Sequence, residues 1–186
     1  MPKENLLNKI NELTEEVEEL KRQTSFFSSL IDMSMVLTST FEIDELIRQV
    51  LEISQRVMNS EASNVMLLNE EKGILECRVA LGTVGRILEE SFKLKLGQGI
   101  AGWVAENRRS VVVPDVSKDE RFFSGTDQST GFQTRSILAT PLIAQGKLLG
   151  VAEVINRSDG NAFDENDMRL FETFCRGVAV AVQNAQ

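Results

Sequence analysis

The sequence contains no histidine. That absence excludes His-based triads, imidazole general bases, His-containing zinc sites and His-ligated haem. Cysteine is scarce as well: Cys77 and Cys175 are too few and too far apart in sequence for a disulfide framework or a metal knuckle. No signal peptide or long apolar run opens the chain, so a cytoplasmic, reducing location with no membrane partner is expected. Positive charge is in deficit, 20 Lys and Arg against 28 Asp and Glu, for a net charge of −8. Such a surface repels polyanions and argues against nucleic acid as a main partner, and an anionic ligand would need a local, shielded site.

The rest is an ordinary globular composition, 42% hydrophobic and 26% charged over 186 residues, the size of one domain plus an appendage. In the appendage Leu6, Ile10, Leu13, Val17 and Leu20 fall on alternating d and a heptad positions, with Glu and Lys between them. β-Branched residues at a and leucines at d favour two parallel strands, so residues 1–24 read as a coiled-coil leader of a parallel homodimer. An amphipathic helix packed on its own domain is the alternative, since about two heptads are marginal alone. Phe27 and Ile31 continue the register, which predicts that the helix runs on from Phe26 to Leu37 into a domain spanning 25–186.

Within that domain Ile43, Leu46, Ile47, Val50, Leu51, Val57 and Met58 recur at helical spacing, with Glu42 and Asp44 at the start, where the helix dipole favours negative charge. Val65–Leu68 and Ile74–Leu81 read as a hairpin, as do Ile137–Ile143 and Leu148–Ile155 around Gln145-Gly146-Lys147. Residues 91–96 alternate apolar and basic, a strand with one wet face. Met168, Phe171, Phe174, Cys175, Val178 and Val182 mark a closing helix. The order predicts an α+β fold in which terminal helices cover one face of an antiparallel sheet. The loop-rich stretch from Gly97 to Gly131 covers the other, and a stretch of that kind inside a compact domain is usually functional.

Gly97-Gln98-Gly99-Ile100-Ala101-Gly102 matches a dinucleotide-binding glycine pattern, but the strand before it carries Lys93 and Lys95 and Asn107-Arg108-Arg109 ends the next helix early. Those glycines more simply permit a tight turn and close backbone approach. Beside them stand the run Asp127-Gln128-Ser129-Thr130-Gly131-Phe132-Gln133-Thr134-Arg135-Ser136-Ile137-Leu138, then Val113-Pro114-Asp115, Pro141 and Gly150 to Asn156. Together these resemble a GAF domain, a PAS-related fold, and most of all the cyclic-nucleotide-binding GAF domains of phosphodiesterases and adenylyl cyclases. Those domains carry an Asn-Lys pair, a Phe and an Asp-Glu pair. Here Asn156-Arg157, Phe163 and Asp167-Met168 occupy that pattern, with Met168 departing from it and Arg157 able to keep an ion pair to Asp167.

The resemblance implies a regulatory sensor, not an enzyme, that binds cAMP or cGMP without a resident cofactor or metal and signals through its terminal helices. It implies that Thr130, Thr134 and Glu153 face the ligand, that Phe123 and Asp127 cover it, and that the Ile100 and Ala101 backbones approach the cyclic phosphate. Asn64 and Ala80-Leu81 would line the base end, and an apolar Leu81, where guanine-selective relatives place an aspartate, leans the reading to cAMP. Each residue also has a plain structural role open to it: Thr130 and Thr134 as helix caps, Asp127 as an N-cap, Phe123 as packing and Glu153 as a solvated strand residue. The final helix is still apolar at Val180 and Val182 when the chain stops, which suggests a missing output domain. A dimerisation scaffold with an empty pocket, or one for another metabolite, is the alternative function. A cysteine-based sulfoxide reductase is the enzymatic one.

Overall fold

Alternation and helical periodicity divide the chain into strands and helices, and a sheet with two apolar faces must then be covered twice. The computed structural model describes residues 43–184, so the coiled-coil reading of 1–24, its continuation to Leu37 and the boundary at 25 lie outside the described residues. The first described element is α1, Ile43–Val57, which buries Leu46, Ile47, Val50, Leu51 and Ser54 along one stripe. Strands β1 (Ser60–Asn69) and β2 (Ile74–Leu81) form the expected hairpin. Its turn is tied by Gly73 N donating to Asn69 O and Lys72 N to Asn69 Oδ1.

A short helix, α2 (Gly85–Ser91), which the sequence reading leaves unassigned, leads into β3, only Lys93–Lys95. Leu94 is buried between two exposed lysines, as the alternation requires. The strand is shorter than expected because it pairs only with Ile74–Glu76 before the glycine turn begins. There Gly97 and Gly99 take positive φ, and a Cβ on Gly102 would lie 2.5 Å from Lys95 O. This is the tight turn and close approach that glycine permits. It launches α3, Gly99–Asn107, which stops at Arg108 in the left-handed region.

β4 (Val111–Val113), a 3₁₀ turn (Val116–Lys118) and the six-residue α4 (Gly125–Thr130) precede the long strands β5 (Ile137–Ala144) and β6 (Lys147–Arg157). Gln145 and Gly146, both at positive φ, make the two-residue hairpin turn between those strands. The closing helix α5, Glu165–Asn184, buries Phe171, Phe174, Cys175, Val178, Ala179 and Val182. All strands pair antiparallel in the order β3-β2-β1-β6-β5-β4.

Helices α1 and α5 pack on one face, against β1 and β5 and each other. On the opposite face Met66, Ala139 and Val151 join Ile100, Ala101, Val104 and Ala105 of α3 in a single apolar cluster. By strand alternation Ala62, Asn64, Glu153, Ile155 and Ile137 share that second face, where Ile137 belongs to the cluster and Ile155 packs against it. Among the described residues no helix is long and apolar enough to cross a membrane.

One glycine shows how close the central strands lie. A Cβ on Gly150 would sit 2.1 Å from Met66 O across the β1–β6 seam. Gly150→Ala is expected to destabilise the fold by about 2 kcal/mol through overpacking, read as a lower urea midpoint at unchanged slope.

Candidate functional site

The second face of the sheet is left partly bare where α3 begins, and the chain folds back over it. Ala62 and Asn64 of β1, Ile137 of β5 and Glu153 and Ile155 of β6 form a floor. Leu88 of α2, Phe92, Leu94 and the first turn of α3 form the walls, and Phe122, Phe123, Thr126, Asp127, Phe132 and Thr134 form the roof. The cavity is about 70 Å³. That suffices for a few waters, whereas pockets for drug-sized ligands run to about 300–1,000 Å³, so a larger guest requires the roof to lift.

The roof is pinned at several points. Arg121 pairs with Asp119 at 2.6 Å and lays its guanidinium 4.4 Å from the Trp103 ring centroid, fastening the segment to α3. Asp127 accepts from Thr134 N and Thr134 Oγ1, both at 2.8 Å, and so closes the loop between α4 and β5. Phe123 lies over the mouth, 44% exposed, and only a glycine at 125 leaves room for its ring, since a Cβ there would meet Phe123 Cζ at 2.6 Å.

Asn156 holds the far end. It is buried at the end of β6 with φ of 53°, a conformation that asparagine tolerates better than most residues. Its Oδ1 accepts from Arg135 N at 2.7 Å and Ser136 N at 3.2 Å, while Nδ2 donates to Gln133 O at 2.8 Å and Glu61 Oε2 at 3.0 Å. Arg135, paired with Glu61 at 2.7 Å, holds that carboxyl below its ordinary value. Next to it Arg157 bridges Asp159 at 2.8 Å and Asp167 at 3.0 Å. Asp167 also accepts from Asp164 N while Asp164 Oδ1 accepts from Asp167 N, a reciprocal cap that starts α5. Asn156, Arg157 and Asp167 thus tie the end of the roof, the end of β6 and α5 together, outside the cavity.

The floor carries the unusual chemistry. Glu153 is 6% exposed and has one hydrogen-bond partner among the described residues, Asn64, whose Nδ2 donates to Oε2 at 2.9 Å. Burial pushes its carboxyl above the ordinary range, and the Asn64 bond opposes this only in part. No Lys or Arg lines the cavity. Asn64 Oδ1 is buried without a partner.

The structure brings Asn64, Ile100, Ala101, Phe123, Asp127, Thr134 and Glu153 together around this cavity. It does not bring Leu81 or Thr130 to it. Leu81 pairs with Ser63 and Ala80 with Asn64, so strand alternation turns Leu81 to the helix-covered face and removes the basis for reading base preference from it. Thr130 donates to Thr126 O at 2.8 Å and accepts from Phe132 N at 3.3 Å, the capping role. The Thr134 hydroxyl points to Asp127, and Glu153 is buried, not solvated. Lining residues not anticipated include Ala62, Val84, Leu88, Phe92, Leu94, Thr126, Phe132, Ile137 and Ile155. The apolar pair Val84 and Leu88, one helical turn apart and both lining the cavity, was the available signal.

Thiol chemistry has little footing here. Cys77 and Cys175 are both buried and free, and neither lines the cavity. Burial, with Glu89 and Glu153 nearby, pushes the Cys77 thiol up to about 12, and burial raises Cys175 as well. Among the described residues no group of acidic or thiol side chains could hold a metal ion.

The profile of the GAF domain family matches residues 42–183. The dual 3′,5′-cyclic-AMP and -GMP phosphodiesterase 11 of Drosophila melanogaster is 29% identical over 163 residues, 81% of this chain but 11% of the relative, so the chain spans about a tenth of that protein's length. Among solved structures, the GAF domain of a phosphoenolpyruvate-protein phosphotransferase from Coxiella burnetii superposes with a TM-score of 0.74 at 17% identity, covering 86% of this chain and 93% of that one. A free methionine-R-sulfoxide reductase from Neisseria meningitidis superposes at 0.68 with 18% identity, covering 82% and 84%. At such identities the structural likenesses speak to the fold alone.

Two outcomes are expected. Asn156→Ala leaves buried amides and carbonyls without partners and should lower unfolding free energy by about 3 kcal/mol, measured by denaturant titration. Cys77, neutral when folded, should stay unmodified by a thiol reagent at about pH 8 and react at the rate of an ordinary cysteine only after unfolding, as followed by absorbance.

Proposed function

The chain belongs to the GAF domain family, and from that footing we propose that its cavity binds a 3′,5′-cyclic nucleotide and that closure of the roof is passed to the terminal helices. GAF domains are regulatory, so the proposed output is a conformational change and not a reaction. The observation that carries the reading is the pairing of two unlike ends in one apolar cavity. At one end lies the first turn of α3, Gly99 to Ala101, whose cap residue Gln98 makes no side-chain bond into the helix. Gln98 Oε1 instead accepts from Lys95 N, so the first-turn N–H groups keep their capacity for an anion. A cyclic phosphate monoanion can be held there by oriented amides and the helix dipole without a cation. At the other end the Asn64–Glu153 pair offers hydrogen-bonding atoms to a base.

The similarity to a dual cyclic-AMP and -GMP phosphodiesterase supports this ligand class. Ligand entry would lift Phe123 and α4, and closure over the guest would pull on the Asp127–Thr134 clasp and, through Asn156 and Arg157, on the start of α5. Such coupling shifts an equilibrium only by the ligand's differential affinity for the open and closed roof. In a parallel dimer joined through the leader helix, the same shift would reach a downstream output domain. The two free, buried thiols suit a reducing cytoplasm. The small cavity volume is the one observation that favours the second reading, a scaffold with an empty pocket or one for another metabolite.

Calorimetric titration with cAMP and cGMP separates the readings. Saturable binding of at least one is expected, with a thermal shift of about 5–10 °C at a hundredfold excess over Kd. Absence of both heat and shift with either nucleotide sinks the proposal. Phe123→Ala should weaken binding roughly tenfold by removing the cover, with the effect concentrated in the dissociation rate.

A further inference from the structure

Asn64 and Glu153 stand opposite one another across the β1–β6 seam and supply the polar atoms of the cavity floor. Their mutual bond uses one amide N–H of Asn64 and Oε2 of Glu153. Two atoms are left over. Asn64 Oδ1 is an acceptor, buried with no donor. Glu153 Oε1 receives no hydrogen bond from any described residue. A buried acceptor left unmatched is costly, so this floor is completed by a guest that brings a donor.

The character of the second atom depends on one proton. The other ionisable groups facing Glu153 are Asp127 from the roof and the Cys77 thiol on β2, and neither is a cation. Asp127 already accepts from Thr134 with both oxygens. Burial with no cation facing it shifts this carboxyl towards its neutral form. When it is protonated, with Oε2 accepting from Asn64, the proton sits on Oε1 and is donated into the cavity.

A neutral Glu153 therefore presents a donor beside the Asn64 acceptor. The amino group and ring N1 of adenine are the complementary donor and acceptor. The corresponding atoms of guanine are reversed, O6 an acceptor and N1–H a donor, so in the same pose O6 meets the Asn64 acceptor and N1–H meets Glu153, which can accept from it only when ionised. Resting on the cyclic-nucleotide reading above, we propose that the Asn64–Glu153 pair reads the base edge and that the protonated carboxyl selects adenine over guanine, making nucleotide preference depend on pH.

The sign follows from linkage. At pH values where Glu153 is neutral, cAMP affinity is level and cGMP affinity rises as pH rises, because binding guanine releases the proton. Where it is ionised, cGMP affinity is level and cAMP affinity falls. The ratio of cGMP Kd to cAMP Kd thus drops by up to about tenfold per pH unit throughout.

The test measures both affinities for the wild-type chain and Glu153→Gln between about pH 5.5 and 8.5, outside the ordinary titration of other pocket groups. The glutamine amide keeps the bond from Asn64 and donates from Nε2 at every pH. The expected result is a wild-type ratio that falls with pH, and a variant that keeps cAMP affinity within about threefold, loses cGMP and shows no pH slope. A wild-type ratio that stays constant over the range overturns the inference while leaving cyclic-nucleotide binding intact, and it does so even if the variant fails to fold. A variant with the wild-type slope overturns it equally. Binding of neither nucleotide by the wild type at any pH instead removes the ligand assignment on which the inference rests.

Discussion

The buried amide of Asn156 is the interaction on which the site depends. Its four bonds join the end of β6, Glu61 at the start of β1 and the backbone from Gln133 to Ser136. The segment from Phe122 to Thr134 contains only one short helix and could not hold itself over a sheet by local propensity. Fixing its last residues against the longest strand turns a loop into a roof. An aspartate there would lose two donors and set a charge against Glu61. Few residues other than asparagine combine a left-handed backbone with a donor and an acceptor on so short a side chain.

With that anchor in place the two faces of the sheet have different tasks. The face under α1 and α5 is dry and closely packed, and it carries most of the largest buried side chains, including Phe171, Phe174, Ile47 and Leu51. The other face is covered partly by α3 and partly by the roof, and beneath the roof it exchanges apolar packing for a carboxyl and an amide. A fully enclosed Glu153 with an unmatched Asn64 acceptor weakens the empty state. Functional sites commonly keep local costs of this kind, which a ligand then relieves.

The same geometry limits the chemistry. The cavity holds no lysine or arginine, no thiol and no imidazole, so catalysis by nucleophile or general base would fall to Glu153 or Asp127. Asp127 is tied to Thr134, and burial raises the Glu153 carboxyl above its ordinary range. The arrangement suits the recognition proposed above: amides at the start of α3 would meet an anion, the Asn64–Glu153 pair would meet a base, and the bonds of Asn156, Arg157 and Asp167 would relate the roof to the first turn of α5.

Much of this architecture was legible in the chain. Strict alternation at Lys93-Leu94-Lys95, glycine pairs at tight turns and the apolar stripes of Ile43–Val57 and Glu165–Asn184 mark element types, because those signals act between residues a few positions apart. Seven of the eighteen residues lining the cavity could be named as well, from motif resemblance. What the chain could not reveal is set by partners distant in sequence. Leu81 and Ala80 are equally plausible neighbours of Asn64 until strand register turns one towards each face. Thr130 and Thr134 look alike until the fold commits their hydroxyls to Thr126 and Asp127. A glutamate reads as a solvated strand residue until β1, β6 and the roof enclose it, and then removal from water, a property of the assembled structure alone, decides whether it carries a charge.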